Sequence, residues 1–322
     1  PEVRGIADVD VGAARRLAGE IGVSRVSDDC RELLAAPDID AVLVCSSTDT
    51  HADVVIDAAT AGKQIFCEKP LDLDLGRIDA ALAAVRRAGV RLMLGFNRRF
   101  DPDFRRVRDA VAAGAVGRPE LLRITSRDPS PPPAEYVKRS GGMFLDMTIH
   151  DFDMARFVMD DEVEEVFVAA ANLVDPAIGA AGDVDTAAIV LRFASGAIGT
   201  IDNSRRAVYG YDQRIEVFGS AGMVANANRT PHTAVHADAS GFHAALPLNF
   251  FMERYSEAYA IELAAFVAAL RAGTEPPVGG EDGRRAIVIG KAAGMSVKSG
   301  RPVRLSEVEA TTAATAATGA LA

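Results

Sequence analysis

"AVLVCSSTDTHADVVIDAATAGKQIFCEKP", residues 41–70, decides the fold. Its first seven residues, "AVLVCSS" (41–47), begin as a continuous apolar run, the pattern of a parallel strand buried on both faces. "HADVVIDAATAGK" (51–63) has helical spacing and stops at Gly62. "QIFCEKP" (64–70) is a second apolar run with Glu68, Lys69 and Pro70 at its end. Strand, helix and strand on so short a cycle read as a right-handed parallel crossover unit. Upstream, "VRGIADVD" (3–10) is a strand ending in acid. "VGAARRLAGEIG" (11–22) follows as a helix, with Ala14, Leu17, Ala18 and Ile21 on one face and Gly22 as its stop. Ser27 is expected to cap the next helix, "DDCRELLAA", which Pro37 closes. Downstream come the helix "LGRIDAALAAVRRAG" (75–89) and the strand "RLMLGF" (91–96). The sequence therefore predicts an α/β, doubly wound domain over residues 1–96.

After Phe96 the pattern changes. "DPDFRRVRDAVAAGAVG" (101–117) and "GGMFLDMTIHDFDMARFVMD" (141–160) each read as one helix. Longer segments with alternating character, 119–128, 163–174, 186–194, 197–207 and 213–220, read as antiparallel strands. Helices over 249–273 and 283–300 complete an α+β domain, assigned to 97–305, with an open and mainly antiparallel sheet. The tail 306–322 has low complexity and few large apolar residues, so it is expected to be disordered.

The chain has 322 residues, a formal net charge of −10 and 25% charged residues. Acidic proteins repel phosphate backbones, so nucleic acid is not an expected partner. The basic stretch "RRFDPDFRRVR" (98–108) reads as a solvated helix face. No apolar run reaches the roughly 20 residues of a membrane span, so no membrane partner is expected. Cys30, Cys45 and Cys67 are three and widely spaced, which gives neither a disulfide framework nor a zinc site. Their thiols favour a reducing, cytoplasmic setting.

The chemistry-bearing residues gather at strand ends, where open parallel sheets bind ligands. Asp8 ends the first strand and reads either as a helix cap or as the acid that holds an adenosine ribose. No glycine-rich phosphate loop precedes it, and about 25–30 residues of strand, loop and helix are expected to be missing there. Ser46, Ser47, Thr48 and His51 occupy the loop and first helical turn after residues 41–47, with Asp49 or Thr50 as the expected cap. Glu68 and Lys69 end the next strand, where a half-buried lysine is costly unless paired or functional. Pro70 fixes the turn and would aim the lysine through a cis bond. In "DMTIHDFD" (146–153), Asp146 and His150 stand four apart on one helix face, Asp153 continues that face, and Asp151 does not. An aspartate beside a histidine fixes its tautomer and raises its basicity, which suits a general base near neutral pH. A structural ion pair ranks second and a metal third, so no metal is assigned. His232 and His236 read as loop residues. Asn97, Arg98 and Arg99 would line a cleft between the domains, and Tyr209, Tyr255 and Asp128 in its loop add the donors and acceptors a polyol needs.

Together "EKP" (68–70), "GFNRRFDP" (95–102), "GGMFLDMTIHDFDMARF" (141–157), "YGYDQRIEVFGS" (209–220) and "FMERYSEAYAIEL" (251–263) make the chain resemble the glucose–fructose oxidoreductase / inositol dehydrogenase family. The resemblance runs from Val3 to about Leu305. It implies a Rossmann-like domain, here without its first strand, loop and helix. It also implies a catalytic set of Lys69, Asp146 and His150, NAD as cofactor and assembly as a homotetramer. His150 would take the hydroxyl proton of a cyclic polyol such as myo-inositol, Lys69 would bind the reacting oxygen, and Asp146 would hold His150. Substrate contacts would fall on Asn97, Arg99, Asp128, Tyr209 and Tyr255. Asp8 favours NAD over NADP, because an acid repels the extra phosphate. The competing readings are a dehydrogenase for another sugar, a non-catalytic sugar or dinucleotide sensor, and a truncated product that does not fold.

Overall fold

A computed structural model of the chain describes residues 1–319, which divide into two units, each built on its own sheets. In the first, Asp10 caps α1 (Val11–Ile21) by accepting the Ala13 N–H at 3.0 Å, and Gly22, at φ 73°, ends it. Before and after it lie the short strands β1 (Ile6–Ala7) and β2 (Val26–Ser27), which pair in parallel. Helix α2 (Cys30–Leu34) is capped by Asp29, not by Ser27. Ser27 is still extended, and its hydroxyl instead takes the Asp29 N–H at 3.0 Å. Next come β3 (Ala41–Val44), α3 (Thr48–Thr60), β4 (Gln64–Glu68), α4 (Leu75–Ala88) and β5 (Leu92–Gly95). Helix α3 starts before the expected His51, with Ser47 at its cap position. Strand β4 is central in a parallel sheet of order β3-β4-β5, separate from β1-β2. Ile65, Cys67, Met93 and Leu94 on the strands and Val55, Ala58 and Ile78 on the helices are all buried. Each such side chain contributes on the order of 1.5–3 kcal/mol if it is large.

The second unit starts at Asn97 with a 3₁₀ turn, Asn97–Phe100, and α5 (Pro102–Ala112). It continues with β6 (Pro119–Arg127), α6 (Ala134–Ser140), a π-helical turn Met143–Met147 and α7 (Ile149–Met159). The region read as one helix over 141–160 is thus two elements. Gly142 (φ 75°) leads into the turn, and a Cβ there would lie 2.6 Å from the Asp183 carboxylate, which itself caps the Met143 N–H. Then follow β7 (Val163–Ala171), α8 (Pro176–Ala180), β8 (Thr186–Phe193), β9 (Ile198–Ser204), β10 (Asp212–Gly219), β11 (Gly222–Ala225) and the hairpin β12 (Val235–Asp238) and β13 (Gly241–Ala244). His236 is therefore a strand residue, stacked on His243 with ring centroids 5.9 Å apart, and not a loop residue. The chain ends with α9 (Phe251–Ala272), α10 (Gly280–Ser299), β14 (Val303–Arg304) and α11 (Leu305–Gly319).

Two expectations about the ends of domains are corrected. Residues Glu262–Arg284 do not belong to the second unit but return to the first. There Phe266 meets Phe66 edge-on at 5.8 Å, and the Leu94 N–H donates to the Val278 carbonyl at 3.1 Å. Over 305–319 the expected disordered tail is helical. Leu305 and Val308 are buried at its start, and alanine, the strongest helix former, carries it onward. Residues 320–322 lie outside the described part.

The seven-stranded sheet, order β11-β10-β6-β9-β8-β7-β14, sets the second unit's layout. Helix α5 lies against β10 and α7 against β6, while the Ser296 hydroxyl of α10 takes the Val168 N–H at 3.0 Å. On the helix-covered face, side chains form rows across the strands. Val217, Leu122, Gly199, Leu191 and Val166 are one row, and Ile215, Ile124, Ile201, Ile189 and Val168 the next. The third row turns polar, with Gln213, Ser126 and Asn203 beside Ala187, all buried. Just past the strand ends stand Tyr211, Asp128 and Arg205. One face thus grades from hydrocarbon to charge along its strands.

Candidate active site

Each unit brings its own set of strand ends. In the first, the β4 end carries Glu68, Lys69 and Pro70, and the Lys69–Pro70 bond is cis. The Glu68 carboxylate lies over Gly95, its register partner on β5, where a Cβ would sit 2.8 Å from it. Burial raises the Glu68 carboxyl, and the charge of Lys69 and then its backbone N–H work against that rise. His51 is 2% exposed, with Nδ1 2.8 Å from the Pro70 carbonyl and Nε2 2.9 Å from the Ser46 carbonyl. Both ring nitrogens are spent on main chain. The imidazole expected to touch a cofactor is instead the strut that joins the loop after β3 to the turn after β4. Ser46 Oγ and Thr50 Oγ1 are 2.6 Å apart, Thr50 donates to the Ser47 carbonyl, and Ser46 and Ser47 are exposed. Thr48 opens α3. Asp8 stands exposed after β1, and one oxygen accepts the Asp10 N–H at 2.8 Å. Asp10, not Asp8, caps α1, so the helix-cap reading of Asp8 is corrected: its carboxylate holds the N–H of the capping residue itself. Cys67 is buried and Cys45 exposed.

In the second unit the π-helical turn carries Asp146, and α7 carries His150 one turn later. The Tyr136 hydroxyl of α6 donates to Asp146 Oδ1 at 3.0 Å. Burial first, and then Asp146, push the Tyr136 phenol up, so it stays a donor. Below them Asp151 is wholly buried. It accepts from Arg98 Nη1 at 2.6 Å and from Asn203 Nδ2 at 2.9 Å, while the Thr148 hydroxyl donates to Asn203 Oδ1 at 2.7 Å. Burial pushes the Asp128 carboxyl up to about 6, Arg205 and Arg98 pull it back, and Asp146 and Asp151 add to the rise. The structure thus gathers Asp128, Asp146 and Tyr136 within one electrostatic neighbourhood.

Other expected residues are placed differently. Arg99, expected to touch substrate, is 7% exposed and holds Asp153 with Nε at 2.8 Å and Nη2 at 2.5 Å, its guanidinium over Phe157. Arg98 and Arg99 are therefore a buried pair of anchors for α7, not a solvated face. Asp153 serves Arg99 and does not extend a face with Asp146. Asn97 is buried in the 3₁₀ turn. The Tyr209 hydroxyl donates to Asp212 at 2.6 Å and accepts from Arg127 at 3.0 Å, on the opposite face of the sheet from Asp128. Tyr255 is 2% exposed, edge-on to Tyr211 at 5.9 Å and under Arg254 at 4.8 Å, a core residue beneath the site. Sequence reasoning missed Ser126, Tyr136, Asn203 and Arg205. The signal was a polar residue at every second position, Ser126 then Asp128 and Asn203 then Arg205, where a covered face calls for apolar ones.

Two family models match the chain. One is the oxidoreductase family with NAD-binding Rossmann fold, over residues 1–96. The other is the GFO/IDH/MocA C-terminal domain, over 104–225. The chain is 52% identical to a myo-inositol 2-dehydrogenase of Thermotoga maritima, over 94% of this chain and 91% of that one. It is similar to the crystal structure of a myo-inositol dehydrogenase from Corynebacterium glutamicum, with TM-score 0.90 and 41% identity over 94% and 91% of the two chains. It is also similar to scyllo-inositol dehydrogenase from Lactobacillus casei with bound NAD(H) and scyllo-inositol, with TM-score 0.88 and 28% identity over 95% and 92%.

Proposed function

The chain belongs to the GFO/IDH/MocA family of NAD-dependent oxidoreductases, and from that premise we propose that it oxidises a ring hydroxyl of myo-inositol to the ketone. The observation that supports the reading is the polar end of the graded sheet face, where the charge of Asp146 reaches the buried Asp128 carboxyl, and α7 carries His150 one turn after Asp146. Asp8, exposed at the end of β1, fits the two hydroxyls of an adenosine ribose, and its charge selects NAD over NADP. Bound nicotinamide supplies the acceptor for the hydride that leaves the carbinol carbon. His150 takes the hydroxyl proton, Lys69 donates a hydrogen bond to the reacting oxygen, and Asp146 orients His150. Asp128 accepts from neighbouring hydroxyls. His51 acts on the cofactor side indirectly, by fixing the Ser46 and Pro70 carbonyls. Ser46, Ser47, Thr48 and Glu68 frame that side.

The test is NADH production from myo-inositol by the wild type and by His150→Ala, with NAD binding followed by calorimetry. The variant is expected to lose about 10³-fold in kcat and to bind NAD as before. Unchanged turnover removes His150 as the base. A panel of inositol isomers and glucose then fixes the substrate.

A homotetramer is part of the reading. It is supported by the outward face of the seven-stranded sheet, where Leu121, Phe167, Val190, Ile198 and Phe218 are 37–50% exposed. A monomeric mass by light scattering would remove it. Three free thiols support a cytoplasmic setting. No helix of the described residues is long and apolar enough to cross a membrane.

A further inference from the structure

Arg127 and Ser204 are register partners at the ends of the parallel strands β6 and β9, so the residues that follow them, Asp128 and Arg205, leave side by side. The Asp128 N–H donates to the Ser204 carbonyl at 2.9 Å, which fixes that alignment. Both side chains continue the helix-covered face, because alternation places Ser126 and Asn203 there. Arg205 is 1% exposed, and its Nε and Nη2 lie buried without a hydrogen-bond partner. The acid that faces it is Asp183, 3.7 Å from Nη2, and both Asp183 oxygens already accept the Met143 N–H. A guanidinium buried with unmet donors is costly, and nothing in the packing of the sheet requires one.

We propose that Arg205 is a positioning residue for Asp128: a fixed cation behind the strand ends that keeps this carboxylate ionised and aimed at the hydroxyls of a cyclic polyol, without touching the polyol. The inference rests on the polyol reading above. The groups that face Asp128 are Arg98 of the 3₁₀ turn, Asp146 of the π-helical turn and Asp151 of α7, with Arg205 after β9. The phenols Tyr136 and Tyr211 also feel its charge. Of the two cations, Arg98 is already bound to Asp151 at 2.6 Å, so Arg205 carries the charge not spent on a hydrogen bond. An ionised carboxylate accepts from two hydroxyls at once, and a protonated one does so poorly. With the Asp128 carboxyl at about 6, polyol binding weakens as pH falls through that value. Without Arg205 the same loss arrives at a higher pH.

The experiment is the pH dependence of the polyol KM and of kcat at saturating NAD. It compares the wild type, Arg205→Lys, Arg205→Met and Asp128→Asn, with thermal melting to check each fold. The wild type is expected to show KM rising below about pH 6. In Arg205→Met that rise moves up by about one pH unit, which makes KM about threefold higher than wild type near pH 6.5 and about tenfold higher below about pH 5, while kcat holds. Arg205→Lys restores most of the wild-type profile. Asp128→Asn has a high KM that no longer depends on pH in this range. A KM limb that stays in place in Arg205→Met, or that survives in Asp128→Asn, overturns the inference alone. If Arg205→Met does not fold, Arg205→Gln, which keeps the length and hydrogen-bonding but not the charge, takes its place on the same criteria. A wild type that oxidises no cyclic polyol overturns the functional reading, and this inference with it.

Discussion

The two units hold their strand ends by different means. In the first, the main chain does the holding: His51 spans two carbonyls, Thr50 bonds the Ser47 carbonyl, and Asp8 takes the Asp10 N–H. In the second, buried ion pairs do it: Arg98 with Asp151, Arg99 with Asp153, and Arg254 with Asp101. A dinucleotide offers the same phosphates and ribose to every enzyme, so a main-chain frame suffices. A polyol offers only hydroxyls in a pattern, and reading them takes donors and acceptors on stiff mounts. Under the proposed function, the contrast places buried charge in the unit that would read the polyol.

Breaking the stiff side should cost most. Asp101→Asn keeps the cap of α5 but leaves Arg254, 2% exposed, with only Asp103 as counter-charge, 3.6 Å from Nη2. A loss of about 3–5 kcal/mol in urea unfolding is expected. A loss no larger than that of a surface variant would erase the contrast. Next, Asp128→Asn should stabilise. The folded state raises the carboxyl from the ordinary 3.8 to about 6, so it binds the proton more tightly than the unfolded chain. Stability from this group is therefore greatest at low pH and falls as pH rises through about 6. At pH 7 the variant should gain up to about 3 kcal/mol, and the gain should vanish near pH 4. A pH-independent gain would exclude this origin. On the main-chain side, His51→Gln should cost about 1–3 kcal/mol and weaken NAD binding in calorimetry more than it raises the polyol KM. The reverse order would assign His51 to the wrong side. Smallest of all, Arg25→Ala removes an exposed pair with Asp38, and the melting temperature should not move.

The alternation of strands and helices over 1–96 was legible because its strands leave uninterrupted apolar runs and because Gly22 and Gly62 follow helix ends. Strands β4 and β5 are covered as such runs suggest, but β3 is an edge strand with Leu43 53% exposed, so the expected burial of 41–47 on both faces is corrected. The boundary at Phe96 was legible from the change of period. The return of residues 262–284 to the first unit was not, since α9 runs without a cap or change of composition across Ile261 and Glu262. Lys69, Asp146 and His150 stood out by type and spacing. The buried roles of Arg98 and Arg99 did not, because their partners lie 53 and 54 residues away. Arg205 was hidden for the same reason. Its meaning depends on the register of β6 with β9, which no local pattern encodes. The tail was misread because low complexity was weighed above the helix propensity of alanine.

The chain passes between its units three times, at residues 96/97, 261/262 and 284/285, the last two within the helices α9 and α10. The halves are thus not modules that a single cut could trade. A recombination joining residues 1–96 to a foreign partner would strip Phe66 of Phe266, and Leu94 of its hydrogen bond to Val278. An exchange that succeeds must carry 262–284 along, as an insert in the recipient gene. Replacing single side chains at the strand ends leaves all three crossings intact, which an exchange of residues 1–96 alone does not.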